Sequence, residues 1–423
     1  MLMFTLFYKQ KINGVIRRFA INAIQTVDIS SPRQKKLTLS DSYNARIERH
    51  FNERYELKLV KEHIPKKYLT QNRQNVLRNL YLVNSTFAKD IVKRILPYLK
   101  NKDQVICESN AGLGLISTEL IRRGIKKVRL YEACAEFRAY LRTLPHFPSK
   151  MDLYNKDIFG LNSISYFDKY NKANRVVEML DGIPVRSWDG DPVMTIIGPM
   201  PNLNFLRHLV KSIIFQEEIF TYGRPQIFAL MQLEDYHVLN ASPEMNNLRF
   251  YQAWTVLFQL FFSYEVLHKY CKKSFLPWRN IPAKGEEENL LVKIVPKLNL
   301  PVSNEHLTHL YYFIIDGFKK GRQKVIATME KWLPGIGVTL IVPPQRHKTH
   351  FLKNIDIFTE FGELPPSQIF QLFLIMLEHP HFNACPFIPM MESHLVKDET
   401  IDSDLAEVDG KIDDEKIEDV SST

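Results

Sequence analysis

Paired cysteines, long apolar runs and, over the first 36 residues, acidic side chains are what this 423-residue chain has least of. Its four cysteines, Cys107, Cys134, Cys271 and Cys385, stand far apart. That spacing suits a reducing compartment, excludes a disulfide framework and gives no zinc signature, so no metal is expected. The most apolar stretch, Trp254 to Leu267, is interrupted by Gln259, Ser263, Tyr264 and Glu265. It is too short and polar to span a bilayer, reads as a core helix, and leaves no membrane partner to expect. At the start of the chain Asp28 is the lone acid against Lys9, Lys11, Arg17, Arg18, Arg33, Lys35 and Lys36. Ile12, Val15, Ile16, Phe19 and Ala23 fall on one side at helical spacing, behind Leu6 and Phe7. A basic, acid-poor amphipathic start has the composition of a mitochondrial transit peptide; a secretory signal needs a longer unbroken apolar core. The same composition would also serve as a nucleic-acid-binding arm.

What the chain does have is a globular hydrophobic content of 45% and a divided charge. Residues 398–423 carry 11 acidic and 2 basic side chains; against +9 overall, this leaves +18 on the rest. A body that basic points to a polyanion, most simply nucleic acid. The tail lacks aromatics and is expected to be disordered.

Five segments are expected: a transit peptide (1–36), an N-terminal extension (37–65), an α/β body (66–300), a helical domain (301–392) and the acidic tail (393–423). From 103 to 235 strands and helices alternate, which predicts a largely parallel sheet. Strands are read at Gln104–Cys107, Lys127–Tyr131, Met194–Ile197 and Gln226–Met231, and a helix at Leu115–Arg123 with Gly124 as its stop. Residues 160–192 look like a poorly patterned insertion, with Asp181-Gly182 and Asp189-Gly190 as turn signals. Residues 303–380 are helical in pattern, with Leu310, Phe313, Ile314 and Phe318 on one side.

The first strand runs through Glu108-Ser109-Asn110-Ala111-Gly112-Leu113-Gly114 into a helix. Glycine lets a ligand approach the backbone, and the helix N-terminus favours polar or anionic groups. Glu132 ends the next strand, where an acid accepts from ribose hydroxyls in dinucleotide sites. Asp157, in Asn155-Lys156-Asp157-Ile158-Phe159, falls where the following strand should end. Acids at successive strand ends converge on one crevice.

Together the Glu-x-x-x-Gly-x-Gly run, the ribose acid and the Asp-x-Phe element resemble the ribosomal RNA adenine dimethyltransferase family. Leu80-Tyr81-Leu82-Val83-Asn84 is similar to that family's Asn-Phe-Leu-type element, and Phe318-Lys319-Lys320-Gly321-Arg322-Gln323-Lys324 to the basic helix of its C-terminal domain. The resemblance covers about residues 66–380. It implies a Rossmann-like class I S-adenosylmethionine-dependent methyltransferase fold with a small all-helical C-terminal domain. It further implies that Glu108, Gly112 and Gly114 shape the methionine end of the cofactor pocket, Leu82 lines it, Glu132 holds the ribose and Asp157 the adenine amine. Asn110 departs from the family's first glycine and narrows the turn.

A second departure concerns chemistry. An adenine amine is a poor nucleophile, and enzymes that methylate it flip the base onto an aromatic ring. They accept from the amine with an Asn or Asp side chain and a backbone carbonyl. Where the family reads Asn-Leu-Pro-Tyr or Phe, this chain reads Gly198-Pro199-Met200-Pro201. The acceptor side chain and the ring are gone, although proline keeps a carbonyl.

A targeting segment, an altered loop and an acidic tail resemble a paralogue branch of the family. That resemblance implies a mitochondrial partner role with the single-subunit mitochondrial RNA polymerase on promoter DNA. Lys272, Lys273, Arg279, Lys319, Lys320, Arg322 and Lys324, beside aromatic residues, are the expected nucleic-acid contacts. Two alternatives stay open: an active dimethyltransferase of mitochondrial small-subunit ribosomal RNA, and an RNA-binding ribosome-assembly protein.

Overall fold

Strands that are apolar on both faces need helices on both sides, and that requirement sets the layering here. The computed structural model describes residues 39–70, 79–99, 104–245, 250–278, 288–319, 323–341 and 355–396. The chain divides into two compact units, Met1–Arg46 and Ile47–Thr423. Of the first, only the opening of helix Leu39–Asn52 is described. The expected transit peptide lies outside the described residues, as does the acidic tail from 397 on.

The described residues of the second unit form nine strands: β1 (Tyr81–Leu82), β2 (Val105–Ser109), β3 (Val128–Tyr131), β4 (Met151–Tyr154), β5 (Met194–Pro199), β6 (Pro225–Gln232), β7 (Phe262–Cys271), β8 (Phe275–Leu276) and β9 (Glu288–Pro296). Seven form one sheet in the order β4-β3-β2-β5-β6-β9-β7, and β1 pairs with β8 in a separate ladder. The pairs from β4 through β6 are parallel; β9 and β7 close the edge in antiparallel register. Alternation along the strands feeds two cores. Ile196 and Ile227 join one cluster, Ile197 and Phe228 the other. Helices Ser85–Ile95 and Leu115–Arg122 cover one face through Ile91, Val92, Ile116 and Leu120. Helices Asn204–Phe215 and Ala253–Phe261 cover the other through Leu206, Leu209, Val256 and Phe258. Helices Leu307–Gly317, Val325–Trp332 and Pro366–Leu377 continue that second core through Phe313, Met329 and Phe373. This is the expected α/β class I methyltransferase fold with C-terminal helices.

The chain builds outward from β2 to β3 and β4, then returns to add β5 on the other side of β2. The order reverses at β2 and β5, and ligands of open α/β sheets bind beyond the carboxyl ends of such a pair.

Two expectations need correction. The apolar run 254–267 is not one helix: Ala253–Phe261 is helical, and β7 starts at Phe262. A short apolar run does not distinguish helix from buried strand, and here the ladder with β9, from Phe262↔Pro296 onward, decides. Nor is 160–192 patternless. It holds helices Leu161–Asn171 and Arg175–Leu180, whose Leu161, Met179 and Leu180 are buried. The first buries only Leu161 and Ser165 and the second is six residues long, so neither shows a clear apolar period, and the Asp168 carboxylate accepts from Val176 N of the second at 2.8 Å.

Candidate cofactor and acceptor site

The turn after β2 carries three residues with positive φ: Asn110 at 53°, Gly112 at 53° and Gly114 at 62°. Glycine takes that conformation freely and asparagine tolerates it. Gly114 is also the N-cap of helix Leu115–Arg122. Glu108, near the end of β2, is buried; its Oε2 accepts from the Ser117 backbone N–H at 2.9 Å and from the Ser117 hydroxyl. Burial pushes the Glu108 carboxyl up to about 8, with the charge of Glu132 adding to the rise.

Glu132, just beyond β3, is fully buried. Its Oε2 accepts from Gly112 N at 2.8 Å; its Oε1 accepts from Cys134 N at 2.8 Å and from the Tyr81 hydroxyl at 3.0 Å. Burial raises this carboxyl to about 7, with Asp157 contributing to the rise and the N–H donors opposing it. Asp157 Oδ1 accepts from the Ser109 hydroxyl and from Phe159 N, both at 2.9 Å. Burial raises its carboxyl as well. The three acids, Gly112 and Gly114 therefore meet at the carboxyl ends of β2, β3 and β4, as the sequence pattern anticipates. Leu82 is buried on β1, opposite Phe275.

Tyr81 takes part as well, although the sequence pattern did not single it out. Its ring lies so close to Gly112 that a Cβ there would stand 2.8 Å from Tyr81 Cδ1. Phe137 and Tyr68 hold it, with ring centroids 4.6 and 4.9 Å away. The signal was a tyrosine where the family element has phenylalanine, which adds one hydroxyl.

The acceptor loop sits beside this turn. Gly198 has φ +153°, and a Cβ there would run into the Ser109 carbonyl oxygen. No side chain fits at 198 while β2 and β5 keep this approach. The Pro199 carbonyl accepts from Asn110 Nδ2 at 3.0 Å. Met200 is fully buried in the second core, and Pro201 is half-buried. The carbonyl that proline retains is thus bonded within the protein.

Of the seven expected nucleic-acid contacts, the four among the described residues differ in exposure. Lys272 is buried, 3.9 Å from Glu234, in the turn Lys272–Ser274, which Val83 N and the Asn84 amide hold through Ser274. Lys273 is half-buried, and its carbonyl accepts from Trp278 Nε1 at 3.0 Å. Lys319 is exposed and pairs with Asp316 at 3.1 Å. Lys324 is exposed and lies over the Phe358 ring, 4.9 Å from its centroid. Arg279, Lys320 and Arg322 lie outside the described residues. A cleft of about 830 Å³, unforeseen from the sequence, runs along helix Asn204–Phe215 and is lined by Lys169, Tyr170, Arg207, His208, Lys211 and Tyr311 among others. Arg207 stacks on Trp254 at 4.8 Å, while Lys169 and His208 pair with Glu217 and Glu218. Arg207, His208 and Lys211 share helix Asn204–Phe215, and Lys169 joins them from helix Leu161–Asn171. Among the described residues no group of three or more His, Cys, Asp or Glu side chains is placed to hold a metal ion, and no helix is long and apolar enough to cross a membrane.

A left-handed glycine turn at the sheet's reversal point, with acids ending the next two strands, defines a class I S-adenosylmethionine-dependent methyltransferase fold. The chain belongs to the ribosomal RNA adenine dimethylase family, whose model matches residues 70–376. It is similar to the mitochondrial dimethyladenosine transferase 2 of Drosophila melanogaster, at 26% identity over 380 residues covering 79% of this chain and 84% of that one. The protein of the same name from Rattus norvegicus is 24% identical over 240 residues, covering 53% of this chain and 55% of its own. Among solved structures, a dimethyladenosine transferase from Plasmodium falciparum aligns over 68% of this chain and 96% of its own, at 13% identity and a TM-score of 0.43. The 23S rRNA methyltransferase ErmE aligns over 70% and 98%, at 15% identity and a TM-score of 0.42.

Family membership implies S-adenosylmethionine binding. The residues fit that group at the turn, where the backbone is bare at Gly112 and Gly114 and the carboxylates converge. The fit is tighter at Glu132. A carboxylate has about four acceptor positions, and protein donors fill three of them.

Proposed function

We propose that this chain is a mitochondrial transcription initiation factor. It assists the single-subunit mitochondrial RNA polymerase in melting promoter DNA, on a ribosomal RNA adenine dimethyltransferase fold that no longer suits efficient methyl transfer. The observation that carries this reading is the acceptor loop. Gly198 has no room for an acceptor side chain, the Pro199 carbonyl is bonded to Asn110, and Met200 is buried where the family has proline before its ring. An adenine amine entering that loop finds no acceptor side chain and no stacking surface, and a Pro199 carbonyl already shared with Asn110.

The rest of the reading is supported by charge and by resemblance. The body carries +18 outside its acidic tail. The cleft beside helix Asn204–Phe215 combines cations with tyrosines, the combination that tracks an unpaired strand without reading its sequence. The basic amphipathic start and the names of the relatives support a mitochondrial, matrix location near the nucleoid. The polymerase as partner follows from the resemblance to the transcription-factor branch of the family.

A second reading has its own support. The kept glycine turn, Glu132 and Asp157, and relatives named as dimethyladenosine transferases, favour an active dimethyltransferase of mitochondrial small-subunit ribosomal RNA. Run-off transcription from a linear mitochondrial promoter, with polymerase and with or without this protein, separates the two. The first reading expects run-off to depend on the protein and little methylation of a small-subunit RNA hairpin. Charge reversal by Lys319→Glu with Lys324→Glu should lower promoter opening, because an acid there repels phosphate. Robust hairpin methylation without stimulation of run-off would establish the second reading instead.

A further inference from the structure

Asn110 stands where the family has glycine, and it is only 2% exposed. The orientation of its amide is fixed by bonding. Nδ2 donates to the Pro199 carbonyl at 3.0 Å, so Oδ1 is the other atom of the pair. That Oδ1 is buried and accepts from nothing. A buried acceptor without a donor is costly, and native proteins seldom keep one without a reason. The amide lies between the turn after β2 and the end of β5, at the reversal point of the sheet, where open α/β sheets bind ligands.

We propose that Asn110 Oδ1 is the acceptor for the ammonium group at the amino-acid end of S-adenosylmethionine. A lone buried acceptor selects a donor, and the ammonium offers three N–H groups. The acceptor rejects the cofactor's carboxylate, which has no proton to give. A glycine at 110 supplies no such atom, so the departure from the family run adds a contact rather than merely narrowing the turn. The Nδ2 bond to Pro199 keeps the acceptor aimed, and it ties the cofactor turn to the former acceptor loop. The proposal rests on the cofactor of the family and is independent of whether the chain methylates RNA or serves transcription.

The test is calorimetric titration of the full chain with four ligands: S-adenosylmethionine, S-adenosylhomocysteine, decarboxylated S-adenosylmethionine and 5′-methylthioadenosine. The third keeps the ammonium and loses the carboxylate; the fourth lacks the whole amino-acid end. Asn110→Gly suits the positive φ and should fold, which a thermal melt checks. Losing a hydrogen bond to a charged group should weaken the three ammonium-bearing ligands by about tenfold or more, and leave 5′-methylthioadenosine within about twofold. Asn110→Asp keeps an acceptor and adds charge. It should bind those three at least as well as the wild type, relative to 5′-methylthioadenosine, even if its loss of the Pro199 bond lowers the melting point. Equal weakening of all four ligands by Asn110→Gly, or no weakening, overturns the proposal while leaving cofactor binding intact. Sparing of decarboxylated S-adenosylmethionine would assign the contact to the carboxylate and overturn it too. No heat with any ligand at millimolar concentration overturns both this proposal and the cofactor site itself.

Discussion

The turn after β2 and the loop after β5 end neighbouring parallel strands and touch through one hydrogen bond, yet they differ in what they keep. The turn keeps bare glycine backbone, and acids from two further strand ends close around it. The loop keeps the backbone path but loses the groups that chemistry needs. A cofactor turn helps hold the carboxyl end of the central strands together through buried hydrogen bonds, so its residues serve the fold as well as a ligand. An acceptor side chain at 198 would serve only a reaction, and here β2 has closed over its place.

The largest effect that would break this comparison comes from restoring the family residue. Gly198→Asn drives a side chain into the Ser109 carbonyl and forces a strained φ, so it should cost about 4 kcal/mol or more in a denaturant titration. A variant of wild-type stability that gained methylation would show that β2 and β5 can part enough to admit the side chain.

Next in size is a pH effect on the turn. Glu132 and Glu108 have folded-state values raised to about 7 and about 8, above the usual 4.5. The folded state therefore holds protons that the unfolded chain has released. Stability from this source is full below about pH 4.5 and is lost progressively as pH rises through 7 and 8. Thermal melts of the wild type against Glu108→Gln across pH 5 to 8.5 check this; the glutamine variant should lose part of the slope. A wild type that gains stability over that range would contradict the buried placement of these acids.

Glu132→Gln sharpens the cofactor side. It replaces one acceptor oxygen with a donor facing Gly112 or Tyr81, and should weaken S-adenosylmethionine by about 1–3 kcal/mol in calorimetry. The smallest effect is expected at Tyr81. Tyr81→Phe keeps the ring packing with Phe137 and Tyr68 but returns one acceptor position of Glu132 to the ribose. Binding should tighten by up to about 1 kcal/mol; weaker binding would mean that the hydroxyl orients the carboxylate.

Much of this was legible in the sequence. Short apolar runs bounded by turn residues marked β2, β3, β5 and β6, and glycine spacing with one acid per strand end placed Glu108, Gly112, Glu132 and Asp157. Those signals are local, because backbone conformation and strand ends are written in neighbouring residues. The absence of an acceptor at 198 was equally plain.

Tertiary structure alone decided the rest. That the Pro199 carbonyl is bonded depends on Asn110, 89 residues earlier. That Glu132 is nearly saturated depends on Tyr81, 51 residues away. Lys272 looked like a surface cation and is buried, while Arg207 and Lys211 of one helix meet Lys169 of another in a cleft that only packing brings together. Hydrogen-bond saturation and burial are set by which strands and helices become neighbours, and that follows from packing the two faces of the sheet rather than from any short stretch of chain.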